Sequence, residues 1–213
     1  MENKRLNPFE VLTDPRNFIH KVLGKTKNAS MIFAWLLGMT YLYGKAYTFG
    51  LGNSYTLSHI VIFCLVLSIP VGYFLLYITS FLLYWVGKIF HGAASFDEIY
   101  SAFVWTRLPE VFILLGWFGL VGFFGGQAFT TAIIATTPIS LVVIVLIGIQ
   151  VVFGIWEAII LFHALGEVQK VSAWVAVWNV LFTWILLFFI DLSFNWLLIK
   201  GFDWAPLANL LFS

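Results

Sequence analysis

The chain has 213 residues, 62% of them hydrophobic, 19% aromatic and only 10% charged, with a formal net charge of +1. Soluble proteins carry about 25% charged residues, and so neutral a chain offers no basic surface for nucleic acid; a soluble domain and a nucleic-acid-binding module are both excluded. Residues 111–156 hold no Asp, Glu, Lys, Arg or His, and one membrane span needs about 20 apolar residues, so this stretch predicts two spans and a turn.

In chain order, residues 1–28 read as a cytoplasmic N-terminal segment. Thr13-Asp14-Pro15 marks a helix start, with proline at the first helical position. Phe18, Ile19, Val22 and Leu23 then share one side of the helix, and Arg16, Lys21 and Lys25 its more polar surface. The pattern predicts an interfacial amphipathic helix on the inner leaflet, drawn to anionic lipid. A merely solvated, topology-setting segment is the alternative. The first apolar run starts near residue 29 without a small-residue cleavage site behind it, so no cleaved leader is expected.

Residues 29–213 predict a membrane domain of five spans, at about 29–51, 57–86, 108–126, 138–162 and 173–199. The second is longer than a straight span requires, and Pro70 predicts a kink in it. Cys64, the single cysteine, lies in that span and packs as a small hydrophobe. The turn 127–137 is polar but uncharged, and Pro138 opens the fourth span. With the N-terminus inside, nine basic residues face the cytoplasm: Lys4, Arg5, Arg16, Lys21, Lys25, Lys27, Lys88, Arg107 and Lys170. Lys45 and Lys200 alone fall outside, a clear bias under the positive-inside rule. Trp85, Trp105, Trp174 and Trp178 then mark the inner interface, and Trp196 and Trp204 the outer one. The predicted fold is an all-α integral membrane bundle of five transmembrane helices, N-terminus cytoplasmic and C-terminus outside.

Two patterns overlie this plan. Phe90-His91-Gly92 through Ser101-Ala102-Phe103 resembles Phe162-His163-Ala164 through Ser172-Ala173-Trp174, which suggests two parallel hairpins about 72 residues apart. Gly116, Gly119, Gly122 and Gly125 recur every three residues in the third span. Such a stripe lets helix backbones approach closely, either inside the monomer, with Gly148 and Gly154 as counterparts, or against a partner.

Ionisable groups inside spans cost about 2.5–3.5 kcal/mol each on insertion scales, so they are candidate site residues. Glu157 and Asp191 lie about 17 Å apart in depth at 1.5 Å rise per residue, too far for a carboxylate dyad. Glu110 shares the depth of Glu157, and Arg107 lies one turn nearer the cytoplasm. Arg107 is therefore expected to bridge Glu110 and Glu157. Lys45 matches Asp191, so that pair would tie the first span to the fifth. These groups either hold helices together or serve as a gate or proton relay, with His163.

No phosphate-binding glycine loop, His-Glu-x-x-His, paired cysteine set or Gly-x-Ser-x-Gly is present. His91 and His163 have no further ligand at metal-binding spacing, and Gly166 argues against a helix joining His163 to Glu167. The expectation is a non-enzymatic protein without metal or cofactor.

Three segments resemble the YIP family (Ypt/Rab-interacting membrane proteins), particularly its short prokaryotic branch. They are Asn7-Pro8-Phe9 with Asp14-Pro15-Arg16; Gly92 and Ser101-Ala102 leading into Trp105-Thr106-Arg107-Leu108-Pro109; and Trp156 with His163, Glu167 and Ser172-Ala173. The resemblance implies five spans with a cytoplasmic N-terminus. Eukaryotic relatives are associated with Rab-type GTPases, but their long cytosolic N-terminal region and Asp-Leu-Tyr-Gly-Pro motif are missing, and Tyr41-Leu42-Tyr43-Gly44-Lys45 is not equivalent. Some prokaryotic relatives are accessory subunits of ABC-type exporters. The expected role is an accessory or organising subunit in a prokaryotic cytoplasmic membrane, with an ABC-type exporter subunit as partner ahead of a small GTPase. A small transporter or channel using the buried acids is the alternative.

Overall fold

The computed structural model describes residues 7–23, 26–130 and 141–201, with side chains for all of these except 27–28, 141–143 and 194–201. Lys4, Arg5, Lys25, Pro138 and Trp204 lie outside the described residues, as do the side chains of Lys27, Trp196 and Lys200. The described chain consists of helices joined by turns, without a strand.

Two short helices, α1 (Glu10–Thr13) and α2 (Pro15–Val22), come first. The Asp14 side chain caps α2, accepting from the Asn17 N–H at 3.3 Å and the Asn17 amide at 2.6 Å. Those bonds favour the ionised carboxyl and hold its pKa below the usual value. The apolar face of α2 does not lie on lipid. Phe18, Ile19 and Val22 are wholly buried where α2 packs on two later helices, with the Phe18 ring edge-on to Trp105 at 5.4 Å. A rigid protein surface was available to cover those three side chains, and it displaces the bilayer as their partner. Arg16 and Lys21 stay exposed.

Next come α3 (Lys27–Thr48) and the long α4 (Leu57–Ile89), which run antiparallel at close range. A methyl group at Gly72 would fall on the Ala34 carbonyl, and one at Gly38 on the Ser68 carbonyl. Both helices thus present a small-x-x-x-small pair, Ala34/Gly38 and Ser68/Gly72, the pattern that lets membrane helices touch backbone to backbone. Pro70 sits between them on the exposed face, inside a helix that is continuous to Ile89.

The segment 87–107 joins the second and third predicted spans. It contains α5 (Phe96–Trp105), started by a capping box in which the Ser95 hydroxyl accepts from the Glu98 N–H and the Glu98 carboxylate accepts from the Ser95 N–H. Residues 101–105 of α5 are buried among α2, α3, α4 and the fourth long helix. Trp105 is therefore a core residue, edge-on to Phe18 and Phe33, not an interfacial anchor. Trp85, Trp174 and Trp178 are exposed.

Then follow α6 (Glu110–Phe124), a 3-10 turn over Gly125–Phe129, α7 (Leu141–Gln169) and α8 (Ala173–Gly201). The fourth span, placed at 138–162, continues as helix to Gln169, so His163 and Glu167 do lie on one helix despite Gly166. Helix α6 packs antiparallel on α7, with Phe112 stacked on Phe153 at 4.2 Å. Four segments, Leu57–Ile89, Glu110–Phe129, Ile144–Gln169 and Ala173–Ser193, are long and apolar enough to cross a membrane. Large apolar side chains cover their outer surfaces, among them Val66, Phe74, Phe123, Val152 and Phe188; so continuous an apolar surface calls for a hydrocarbon surrounding. Helix α3 matches the span placed at 29–51, but polar and tyrosine residues in its second half leave it short of that apolarity.

The 72-residue repeat is not realised, because His91 lies in the turn after α4 whereas His163 lies within α7. The two helix ends correspond at a different offset. Gly92 N–H donates to the Gly87 carbonyl and His91 N–H to that of Lys88; Val171 N–H donates to Gly166 and Lys170 N–H to Glu167. Both are Schellman ends, with the left-handed position held by His91 (φ 61°) and Lys170 (φ 56°). Ala93 N–H donates to the Gln169 carbonyl at 3.1 Å, which locks the two ends together.

Candidate functional site

The turn Thr106–Pro109 joins α5 to α6 and places Arg107 and Glu110 three residues apart, both inside the bundle. The Arg107 guanidinium lies over the Phe103 ring, 4.2 Å from its centroid. Its Nη1 pairs with Glu157 Oε1 of α7 and stands 3.8 Å from Glu110 Oε1. The Thr40 hydroxyl of α3 donates to Glu110 Oε2 at 2.8 Å. Arg107, Glu110 and Glu157 are respectively 8%, 6% and 8% exposed, so α3, α6, α7 and the α5–α6 turn converge on one buried charge cluster.

Charge balance explains the geometry. One guanidinium faces two carboxylates, which alone would leave an uncompensated negative charge. Glu110 occupies the first turn of α6, where the helix N-terminus supplies roughly half a positive charge, and Thr40 adds a hydrogen bond. The guanidinium can then serve mainly Glu157. Among the described residues, Glu157 Oε2, Arg107 Nε and Trp105 Nε1 are buried without a hydrogen-bond partner, each at a cost of about 1–3 kcal/mol.

A second charged pair joins α3 to α8. Lys45 Nζ lies 2.7 Å from Asp191 Oδ2, and the Tyr41 hydroxyl donates to Asp191 Oδ1 at 2.9 Å. The lysine also stands over the Tyr41 and Phe49 rings at 5.4 and 6.0 Å. These side chains are 22% and 37% exposed, so this pair is held less tightly than the inner cluster.

The glycine stripe divides. A methyl at Gly116 or Gly119 would meet Gln150 or Leu146 of α7, whereas Gly122 and Gly125 have nothing within 4 Å of that position. Gly148 and Gly154 are likewise open and are not the counterparts. Only half of the stripe faces α7, because a spacing of three drifts round a helix of 3.6 residues per turn.

Further polar contacts, one buried and two at the surface, join or start the helices. The Asn179 amide donates to the Leu83 carbonyl and to Gln169 Oε1, both at 3.1 Å, and tethers α8 to α4 and α7. His20 Nε2 of α2 meets Glu167 Oε1 of α7 at 3.0 Å. At the head of α5, the Ser95 bonds, with smaller help from Lys170 and Lys88, hold the Glu98 carboxyl below its usual pKa. The Ser95-x-x-Glu98 spacing was the legible signal for α5; the amides carried none, since single Asn and Gln residues in apolar sequence do not name their partners.

Long apolar helices and an apolar outer surface, with the buried charges paired among themselves, define a multi-pass α-helical membrane protein. Within that class the chain belongs to the Yip1 family, since the family model described as the Yip1 domain matches residues 9–194, nearly everything from α1 to the described side chains of α8. No curated protein and no solved structure matches the chain.

Proposed function

We propose that this protein is a non-enzymatic accessory or organising subunit that acts with other membrane machinery. The observation that supports the reading is the pairing of charges between elements: Arg107, beside Glu110, pairs with Glu157 of α7, and Lys45 of α3 pairs with Asp191 of α8. Groups engaged in this way hold a bundle together rather than line a path. The resemblance to short prokaryotic YIP proteins favours a cytoplasmic membrane and an ABC-type exporter subunit as partner, with a small GTPase second. In this reading α3 is the first of five spans and the N-terminus is cytoplasmic, in keeping with the distribution of lysine and arginine.

A small transporter or channel is the second reading, favoured by the unpartnered Glu157 Oε2 and Arg107 Nε, because ionisable groups inside membranes also mark ion and proton paths. Purification of the tagged protein from native membranes in mild detergent, with quantitative mass spectrometry against an unrelated five-span control, separates the two. A stoichiometric membrane-protein companion is the expected result. No enriched companion, together with ion flux in liposomes that Glu157→Gln abolishes, would replace the accessory reading by the transporter one.

A further inference from the structure

We infer that the joined ends of α4 and α7 form a binding site for the phosphate headgroup of an anionic phospholipid, with His91 and Lys170 as its ligands. His91 lies two residues past Ile89 and Lys170 one past Gln169, the ends of two segments long and apolar enough to cross a membrane, so both stand at the end where these helices leave the apolar layer. The Ala93–Gln169 hydrogen bond fixes the two ends side by side. Gly92 also packs against the Gln169 side chain, where a methyl would stand 3.3 Å from its Cδ. His91 and Lys170 are each one residue from that contact, and both are exposed.

The backbone supplies the second observation. His91 and Lys170 are the positive-φ non-glycine residues among the described ones. Glycine takes that conformation without strain, whereas a side chain is disfavoured there. Two adjacent helix ends thus carry basic side chains where glycine would be the easier residue. A C-terminal cation favours its own helix dipole, the part Lys170 plays for α7; at α4 that part is taken by Lys88, which donates to the Gly92 and Ala94 carbonyls at 3.2 and 3.0 Å and leaves His91 without it. Of the neighbouring carboxylates, Glu98 accepts from Ser95 and also feels the Lys170 and Lys88 charges, Glu167 meets His20, and Asp97 is exposed at the start of α5. Exposed Trp85, Trp174 and Trp178 belong at the same headgroup level. A surface phosphodiester offers the anionic oxygens that an imidazole N–H and an ammonium would share, and its acyl chains lie along the apolar flank.

The test is native mass spectrometry of the full chain in mixed micelles containing phosphatidylglycerol or phosphatidylcholine, read beside the thermal midpoint. The wild type should retain phosphatidylglycerol preferentially. The double variant His91→Gly/Lys170→Gly should keep or raise its midpoint, since glycine relieves the strained positions, yet lose retention roughly tenfold, as expected for two basic groups at an anionic surface. His91→Arg/Lys170→Arg should keep retention, and it decides the matter if the glycine variant does not fold. Equal retention of both lipids by the wild type, undiminished retention by the glycine variant, or loss of retention in the arginine variant would overturn the proposal. Displacement of the lipid by inorganic phosphate at equal concentration would assign the site to a free phosphate and overturn the lipid assignment.

Discussion

Gly72 of α4 faces Ala34 of α3 with no space for a side chain between them: a methyl on the glycine would fall on the Ala34 carbonyl. Gly38 and Ser68 repeat the arrangement four residues along each helix, so two small-residue pairs set both the separation and the antiparallel register of the first long hairpin.

Gly72→Ala should therefore destabilise the protein by about 1–3 kcal/mol, the usual range for overpacking, and more where the carbonyl cannot move. Gly38→Ala should behave alike. Gly122→Ala is the control, because nothing lies within 4 Å of the added methyl. Thermal midpoints in detergent would check the order, and equal midpoints for Gly72→Ala and Gly122→Ala would remove the close contact from the account.

Arg107→Ala should cost about 3–5 kcal/mol, the range for breaking a buried ion pair by removing one partner, because it strands Glu157 and Glu110 in the interior. Adding Glu157→Gln should restore part of the folded yield, with a coupling of about 0.5–3 kcal/mol for groups in contact. A monodisperse fraction unchanged by Arg107→Ala would show that the cluster does not hold the bundle.

Lys45→Ala should cost less than Arg107→Ala, since its side chain and that of Asp191 are 22% and 37% exposed and are not enclosed by protein as the inner cluster is. The two arginine and lysine variants, melted side by side, test whether burial sets the order. A Lys45→Ala loss as large as that of Arg107→Ala would mean that the outer pair is shielded from water.

Ser95→Ala should cost about 1 kcal/mol, as the loss of a helix cap does. The capping box also predicts a pH dependence. Its bonds depress the folded-state pKa of Glu98, so its stabilisation is fully present above the ordinary carboxylate value near 4.5 and is lost as pH falls through the depressed one. Midpoints measured from pH 7 downward should converge between wild type and Glu98→Gln below that range. A gap that stays constant would show that the carboxylate plays no such part.

Much of the charge pairing was legible in the sequence. Charge in a low-dielectric medium needs a partner at its own depth, and depth follows from a constant rise per residue, so counting alone set Arg107 beside Glu110 and Glu157, and Lys45 beside Asp191. The same side chains meet in the structure. What counting could not supply were Thr40, Tyr41, Phe103 and Asn179, whose roles depend on which way each helix is turned.

The glycines teach the complementary lesson. Gly116, Gly119, Gly122 and Gly125 made the more visible pattern, yet Gly38 and Gly72 make the tighter contact. Their signal, two small residues four apart on each of two helices, is short and occurs often by chance in apolar sequence. The apolar face of α2 is similar: its existence was written in Phe18, Ile19 and Val22, but its partner was not.

By itself the sequence determined that this chain lives in a bilayer, where its long helices run and which charges must be paired, because hydrophobicity, helical rise and the cost of buried charge are local or one-dimensional quantities. Only the tertiary structure decided that α2 packs on protein, that α5 fills the space between the long helices, that α4 and α7 end side by side, and which glycines touch. Those outcomes depend on the rotation and register of helices against one another, which are settled by the sum of many weak contacts between residues far apart in the chain.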